Sequence, residues 1–297
     1  MPSSSLYLDD FAIDGLPLAQ DQKIQELQGM SDWDIAIRLH EWKEISFLKE
    51  VYPELKKLSV QLILKKAKIL MGSITRPMKT FYAPYEDIPE NAQRIELDLE
   101  TFIEEKLGKQ VLSFTHSYEL KKKEPFVIAV DTSLSMTGEK LILTAIALAI
   151  ILLQFPEDPI GLVAFEGEAT VLKTPEQTMS VSDLLSLFLE VPAQGYTHLE
   201  SGVLEAIRMR ERMKGPRVPV LLLTDGKYTA GRDPSYLKNR LVPLHLLKLG
   251  SDKSSQELCE HWVKLGKGTL KQVDHLEKLP EAMFQMVKDL IRSRVVS

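Results

Sequence analysis

Two apolar segments that each end in an aspartate constrain the fold of this chain most strongly. Residues 126–130 (FVIAV) are apolar and rich in β-branched side chains, which is typical of a strand buried on both faces. Asp131 follows this segment directly, and Asp225 follows the similar segment 218–224 (VPVLLLT). Buried strands of this kind belong to parallel sheets that are covered by helices on both sides. We therefore expect an α/β fold.

Strand and helix patterns alternate from residue 124 to residue 297, as they do in a doubly wound sheet. The predicted strands are 126–130, 160–165, 170–173, 218–224, 242–249 and 269–273. The predicted helices are 138–154, 182–189, 198–213, 233–240, 254–265 and 279–295. The third strand follows the second at hairpin distance, so it is expected to be antiparallel and at one edge. The expected fold is a mostly parallel, Rossmann-like sheet of six strands in the order 3-2-1-4-5-6.

Residues 1–94 differ in pattern and predict a helical N-terminal region with a disordered start and a linker. Ser31 precedes apolar residues at helical spacing and is expected to cap a helix. A second helix is expected over 55–71, and its lysines are expected to face solvent: Lys56, Lys57, Lys65, Lys66 and Lys68. Residues 72–88 are rich in glycine and proline and predict a linker or long loop.

A lead-in segment over residues 95–123 is expected to connect this region to the α/β domain at 124–297. Residues 95–107 (IELDLETFIEEKL) show an amphipathic pattern that predicts a short helix. Residues 111–120 alternate between apolar and polar side chains, which favours a strand or an extended arm.

The charge balance argues against a nucleic-acid partner. The chain has 37 basic and 42 acidic residues, giving a net charge of −5. Up to Lys123 there are 17 basic and 20 acidic residues, which leaves 20 and 22 beyond it, so neither half is basic.

Cysteine content and apolar runs favour a cytoplasmic protein without a membrane span. Cys259 is the only cysteine, so no disulfide can form within the chain. The first residues, MPSSSLYLDD, have no basic start and no apolar run of the kind a secretory signal carries. The longest apolar run is 141–153, which is shorter than the roughly 20 residues that a membrane helix needs. It predicts a buried core helix.

Short oxygen-bearing side chains cluster where the two aspartate-ending strands stop. Ser133 and Ser135 follow Asp131 at intervals of two residues, and Thr197 directly precedes a predicted helix. In the expected strand order, the first and fourth strands are neighbours at the point where the order reverses, and ligands bind there in open α/β sheets. Hard divalent cations prefer such oxygen ligands. The sequence therefore predicts a divalent-metal site.

This set resembles the metal-ion-dependent adhesion site of von Willebrand factor A (VWA) domains, whose pattern is D-x-S-x-S, then a threonine, then an aspartate after a strand. The resemblance implies that Ser133 and Ser135 bind Mg²⁺ or Mn²⁺ directly, and that Thr197 binds it directly or through water. It also implies that Asp131 and Asp225 hold coordinating waters. An acidic side chain from a partner protein would complete the site.

Residues 95–297 are similar to intracellular bacterial VWA proteins of the CoxE-like group. That group works with MoxR-type AAA+ ATPases as adaptors in protein or metal-cofactor maturation, so the resemblance implies a non-enzymatic adaptor. At position 134, between the two serines, this chain has leucine where VWA domains commonly have a small residue. Residues 1–94 match no family that we can name.

Two other functional classes remain as alternatives. A metal-dependent hydrolase or phosphotransferase using the same aspartates would need a general base, for which Glu166, Glu168 and His198 are the candidates. An extracellular adhesion module is opposed by the lone cysteine and the N-terminal sequence. Neither a G-x-x-x-x-G-K-[ST] nor a G-x-G-x-x-G motif occurs, so nucleotide binding is not indicated.

Overall fold

The computed structural model describes residues 29–43, 49–71, 79–90, 92–99, 115–120, 123, 125–192, 195–213 and 218–292. The chain divides into two units. One comprises Met1–Gly72 together with Pro125–Ser297, and the other comprises Ser73–Glu124. The N-terminal helical region thus belongs to the same unit as the α/β region. The disordered start, predicted over residues 1 to about 19, lies outside the described residues.

Two helices of the N-terminal region confirm the helical prediction. Helix α1 (Asp32–Trp42) begins after Ser31, whose hydroxyl accepts the Asp34 N–H at 3.2 Å. Helix α2 (Tyr52–Met71) starts one residue before Pro53, a position in the first turn that proline tolerates because no intrahelical donor is lost there. Lys66 was predicted to face solvent, but it is buried and its ammonium lies over the Trp33 ring.

The smaller unit is a three-stranded antiparallel sheet with the order β1-β3-β2. Its strands are β1 (Lys79–Pro84), β2 (Gln93–Leu97) and β3 (Thr115–Leu120). The predicted strand at 111–120 is confirmed over its described part.

Two predictions within the smaller unit are wrong. The linker predicted over 72–88 contains β1, where Thr80, Phe81 and Tyr82 favour a strand despite the flanking prolines. The helix predicted over 95–107 is a strand as far as Leu97, because Ile95 and Leu97 alternate with polar residues and Glu96 and Leu97 pair with β3. From Glu100 to Leu107 the predicted helix lies outside the described residues.

The larger unit contains a six-stranded sheet with the order β6-β5-β4-β7-β8-β9, which confirms the predicted order. Its strands are β4 (Phe126–Asp131), β5 (Ile160–Phe165), β6 (Ala169–Lys173), β7 (Val220–Thr224), β8 (Leu244–Leu249) and β9 (Leu270–Val273). The antiparallel pairing of β6 with β5 is also as predicted, and the other pairings are parallel. Strands β4 and β7 are neighbours, with Val130 opposite Leu223.

Helices cover both faces of this sheet. They are α3 (Glu139–Gln154), α4 (Val181–Glu190), α5 (Leu199–Arg212), α6 (Gln256–Leu265) and α7 (Leu279–Arg292), and a 3₁₀ helix spans Pro234–Arg240. Val127 and Ala129 share a hydrophobic cluster with Val203 of α5 and Trp262 of α6. Because side chains alternate along a strand, Phe126, Ile128 and Val130 point to the opposite face.

Helix α3 is apolar around its whole circumference, and every residue from Leu141 to Leu152 is buried. A helix on the outside of a two-sided sheet normally keeps a polar face. Here α2 contacts α3, α4 and α7, so the N-terminal helices add a further layer over α3. The predicted core helix over 141–153 is thus confirmed, and in the described part of the chain no helix is both long and apolar enough to cross a membrane.

Candidate metal site

The structure brings the predicted site residues to the carboxyl edge of the six-stranded sheet. Asp131 is the last residue of β4, and Asp225 directly follows the neighbouring strand β7. Ser133 and Ser135 lie in the turn between β4 and α3, where a 3₁₀ helix spans Leu134–Met136. Thr197 lies two residues before α5. The clustering follows from the parallel pairing of β5, β4 and β7, because parallel strands end at a common edge.

Asp131 is fully buried and its carboxylate is fixed by two hydrogen bonds. Oδ1 accepts the Ser133 N–H at 2.9 Å, and Oδ2 accepts the Thr224 hydroxyl at 2.6 Å. The pKa of Asp131 is raised to about 6, mainly because the carboxyl group is buried. The negative charge of Asp225 adds to this increase, and the hydrogen bonds from Thr224 and Ser133 oppose it. The Asp131 carboxylate is therefore held in one orientation at the end of β4.

The hydroxyl oxygens of Ser133 and Ser135 lie 3.2 Å apart. Neighbouring ligands of an octahedral ion at roughly 2.1 Å are separated by about 3.0 Å, so this spacing fits Mg²⁺. Ser133 is buried while Ser135 is exposed, and the pair therefore opens toward solvent on one side. Among the residues that the structure describes, no three His, Cys, Asp or Glu side chains are grouped as metal ligands.

Thr197 is buried in a loop that is tied to the segment after β7. Its N–H donates to the Thr229 hydroxyl at 3.0 Å, and its carbonyl oxygen accepts the N–H groups of Thr229 and Ala230. The next residue, His198, donates its N–H to the Glu166 carbonyl at the end of β5. These bonds hold the threonine at the same edge as the two serines.

Asp225 is also fully buried, and its carboxylate accepts one backbone and one ionic hydrogen bond. Oδ1 accepts the Lys227 N–H at 3.1 Å, and Oδ2 accepts the Lys140 ammonium at 2.8 Å. The Asp225 carbonyl accepts the Ser255 hydroxyl at 2.7 Å, which ties the β7 end to the start of α6. The aspartate is therefore fixed on three sides.

Sequence reasoning missed two residues that touch the site. Thr224 bonds Asp131 across the strand pair, and a hydroxyl residue directly before the second aspartate was the available signal. Lys140 bonds both Asp225 and the Ser135 carbonyl. Its signal was a cation in the first turn of an otherwise apolar helix, where the helix dipole disfavours positive charge.

The candidate general bases of the enzymatic alternative lie near this edge, in the turn after β5 and directly before α5. His198 caps α5, because its Nδ1 accepts the Ser201 N–H at 3.0 Å. Glu166 and Glu168 bracket the turn between β5 and β6, where the Glu166 N–H donates to the Glu168 carbonyl. Glu168 is exposed to solvent.

Residues 126–227 match the von Willebrand factor type A domain. The matched range is about a third of the chain and includes all five predicted site residues. VWA domains commonly mediate protein interactions. This class agrees with the fold, a mostly parallel six-stranded sheet flanked by helices and preceded by a helical region.

A curated relative is inter-alpha-trypsin inhibitor heavy chain H4 of Bos taurus, which is 33% identical over 116 residues. The match covers 35% of this chain and 13% of that protein, so the chain spans about an eighth of its length. A similar solved structure is an aerotolerance-related membrane protein from Bacteroides fragilis, with 18% identity, coverage of 57% of this chain and 99% of that one, and a TM-score of 0.46. Another is proximal thread matrix protein 1 from the mussel byssus with a zinc-occupied MIDAS motif, with 18% identity, coverage of 57% and 48%, and a TM-score of 0.45.

Proposed function

We propose that this protein is a non-enzymatic adaptor that binds a partner protein through a divalent ion, Mg²⁺ or Mn²⁺. The observation that carries the proposal is the pair of hydroxyls of Ser133 and Ser135, 3.2 Å apart beside two fully buried carboxylates. Hydroxyl ligands are uncharged, so they bind the ion without neutralising its positive charge, while the nearby buried carboxylates attract it. The bound ion would then keep enough positive charge to bind a further carboxylate.

Each site residue has a distinct role in this proposal. Ser133 and Ser135 bind the ion through their hydroxyls, and Thr197 binds directly or through water. Asp131 and Asp225 hold the coordinating waters from their fixed positions. When bound, the ion supplies a positive charge and an open coordination position for a carboxylate oxygen. The partner therefore presents an aspartate or glutamate at its contact surface.

We further propose that this partner is a MoxR-type AAA+ ATPase in the cytoplasm, and that the pair acts in protein or metal-cofactor maturation. The resemblance of residues 95–297 to CoxE-like proteins supports this part of the proposal. A hydrolase or phosphotransferase is the alternative. His198 supports this alternative less than a free imidazole would, because its Nδ1 already accepts the Ser201 N–H in capping α5.

The test is a pull-down with a co-encoded AAA+ ATPase, with and without a chelator. We expect chelation to abolish the complex, and Asp225→Ala to do the same because the waters that hold the ion are released. Asp274→Ala is the matched control, since Asp274 follows strand β9 at the same edge and pairs with Lys278 instead. This control is expected to bind normally.

Combining chelation with a substitution in the partner tests whether the ion and the partner's acidic residue form one contact. Replacing the contacting acidic residue of the partner by its amide should weaken the complex as much as chelation does, and chelation should then have no further effect. Such non-additivity is expected when two changes remove one contact. A complex that is indifferent to both the chelator and Asp225→Ala would overturn the adaptor proposal. Phosphatase or esterase turnover that Asp225→Ala abolishes would favour the enzyme.

A further inference from the structure

Lys140 connects the two halves of the candidate site. Its ammonium donates to Asp225 Oδ2 at 2.8 Å and to the Ser135 carbonyl at 2.9 Å. Asp225 is fully buried, whereas the Lys140 side chain is 29% exposed. A cation therefore already contacts one of the two carboxylates that the proposed metal site uses.

Gly250 lies against the Lys140 side chain. Gly250, which follows β8, has φ +91°, and a Cβ built there would lie 3.0 Å from Cε of Lys140. A side chain at position 250 would thus be strained and would also press on the lysine. The absence of a Cβ at Gly250 leaves room for the lysine stem, and the ammonium is directed to its two oxygen partners.

Electrostatics explains why a cation is needed at this point. Asp131 and Asp225 are both fully buried at the ends of neighbouring strands. A buried carboxylate without a counter-charge is costly, and two of them close together repel each other. Lys140 forms an ion pair with Asp225. In the described part of the chain, the other nearby lysine, Lys227, pairs with Asp252 and not with either of the two buried carboxylates.

We propose that Lys140 is a resident counter-cation that stabilises the metal-free site and lowers its affinity for a divalent ion. The inference rests on the proposed metal site and concerns how tightly that site binds. An incoming ion is repelled by the ammonium and competes with it for Asp225. The lysine therefore lowers the affinity of the site for the divalent ion. A carboxylate from the partner protein then contributes to holding the ion in the site.

The two cations are coupled in both directions. If Lys140 weakens ion binding, ion binding must weaken the contact of Lys140 with Asp225 by the same factor. Coupling between two binding events is typically in the range of about 5-fold to 150-fold. We expect removal of the Lys140 charge to tighten Mg²⁺ binding by at least about tenfold.

The experiment is a calorimetric titration of MgCl₂, repeated with MnCl₂, into the wild-type protein and Lys140→Met. Methionine keeps most of the side-chain length and removes the charge. Lys227→Met is the matched control, because it removes an equal charge nearby that pairs with Asp252. The proposal predicts tighter binding in Lys140→Met, little change in Lys227→Met, and a lower melting temperature of metal-free Lys140→Met.

Equal or weaker Mg²⁺ binding by Lys140→Met would overturn the proposal and would assign Lys140 a purely structural role. If Lys140→Met does not fold, Lys140→Gln provides the same charge removal with a retained hydrogen-bond donor, and the same criterion applies. The failure of this inference can be told apart from the failure of the proposed metal site. Absence of Mg²⁺ and Mn²⁺ binding by both the wild type and the Lys140 variants would refute the metal site. Binding by the wild type that the Lys140 variants do not tighten would refute this inference alone.

Discussion

Two helices start at the candidate site, and they differ in how they are surrounded. Helix α3 follows the turn that carries Ser133 and Ser135, and each of its residues from Leu141 to Leu152 is buried. Helix α5 follows Thr197 and is amphipathic, with an ion pair between Glu205 and Arg208 on its outer side. The difference arises because α2 packs over α3. The comparison shows that the N-terminal helices are part of the core that supports the serine side of the site.

Removal of the N-terminal region is expected to have the largest effect. Deleting residues 1–72 exposes the outer apolar side of α3, so we expect aggregation or loss of a cooperative thermal transition. Size-exclusion chromatography and thermal denaturation followed by circular dichroism measure this. A monomeric product that melts cooperatively would contradict the assignment of α1 and α2 to the core.

Shortening single side chains compares the packing of α2 on α3 with the packing of α5 on the sheet. Ile63 of α2 and Ile207 of α5 are both fully buried. We expect Ile63→Ala and Ile207→Ala to cost about 2–5 kcal/mol each in unfolding free energy. Chemical denaturation checks the values, and Arg208→Ala, on the exposed side of α5, should change stability by less than about 0.5 kcal/mol. If Ile63→Ala cost less than about 1 kcal/mol, the N-terminal helices would be a loosely attached layer.

A glycine on the threonine side is expected to have a smaller effect. Gly231 has φ +78°, and a Cβ there would lie 2.7 Å from Cε1 of the His198 ring. Gly231→Ala should therefore cost about 1–3 kcal/mol and displace the loop that carries Thr197. Gly167→Ala is the control, since a Cβ at that position meets no atom within 4 Å. Equal stability of the two variants would show that this loop adapts freely.

The sequence was sufficient to predict two kinds of feature. These are the regular alternation of strands and helices, and the residues that directly follow a strand. Alternating apolar strands and helices predicted β4 to β9 and their order, and the aspartates at two strand ends predicted where Asp131 and Asp225 lie. The site residues could be located because the carboxyl ends of neighbouring parallel strands meet. Assignment of a metal to them came from a family resemblance and remains a prediction.

The features that the sequence did not predict depend on contacts between distant segments. Ile95–Leu97 carries both a helical and an alternating pattern, and pairing with β3 decides for the strand. Lys66 was placed on a solvated face because lysines are usually exposed, but packing against Trp33 buries it. Lys140 lies nine residues from Asp131 and 85 from Asp225, so its contact with Asp225 is visible only in the folded chain.

The central claim is that Ser133 and Ser135 hold a divalent ion, and calorimetric titration of Mg²⁺ and Mn²⁺ into metal-free protein tests it most directly. The wild type is expected to show one binding site per chain. Ser133→Ala combined with Ser135→Ala is expected to abolish binding while the melting temperature stays close to that of the wild type, because both groups lie in a turn at the strand end. Unchanged ion binding by the double variant would contradict the account, because the ion would then bind elsewhere.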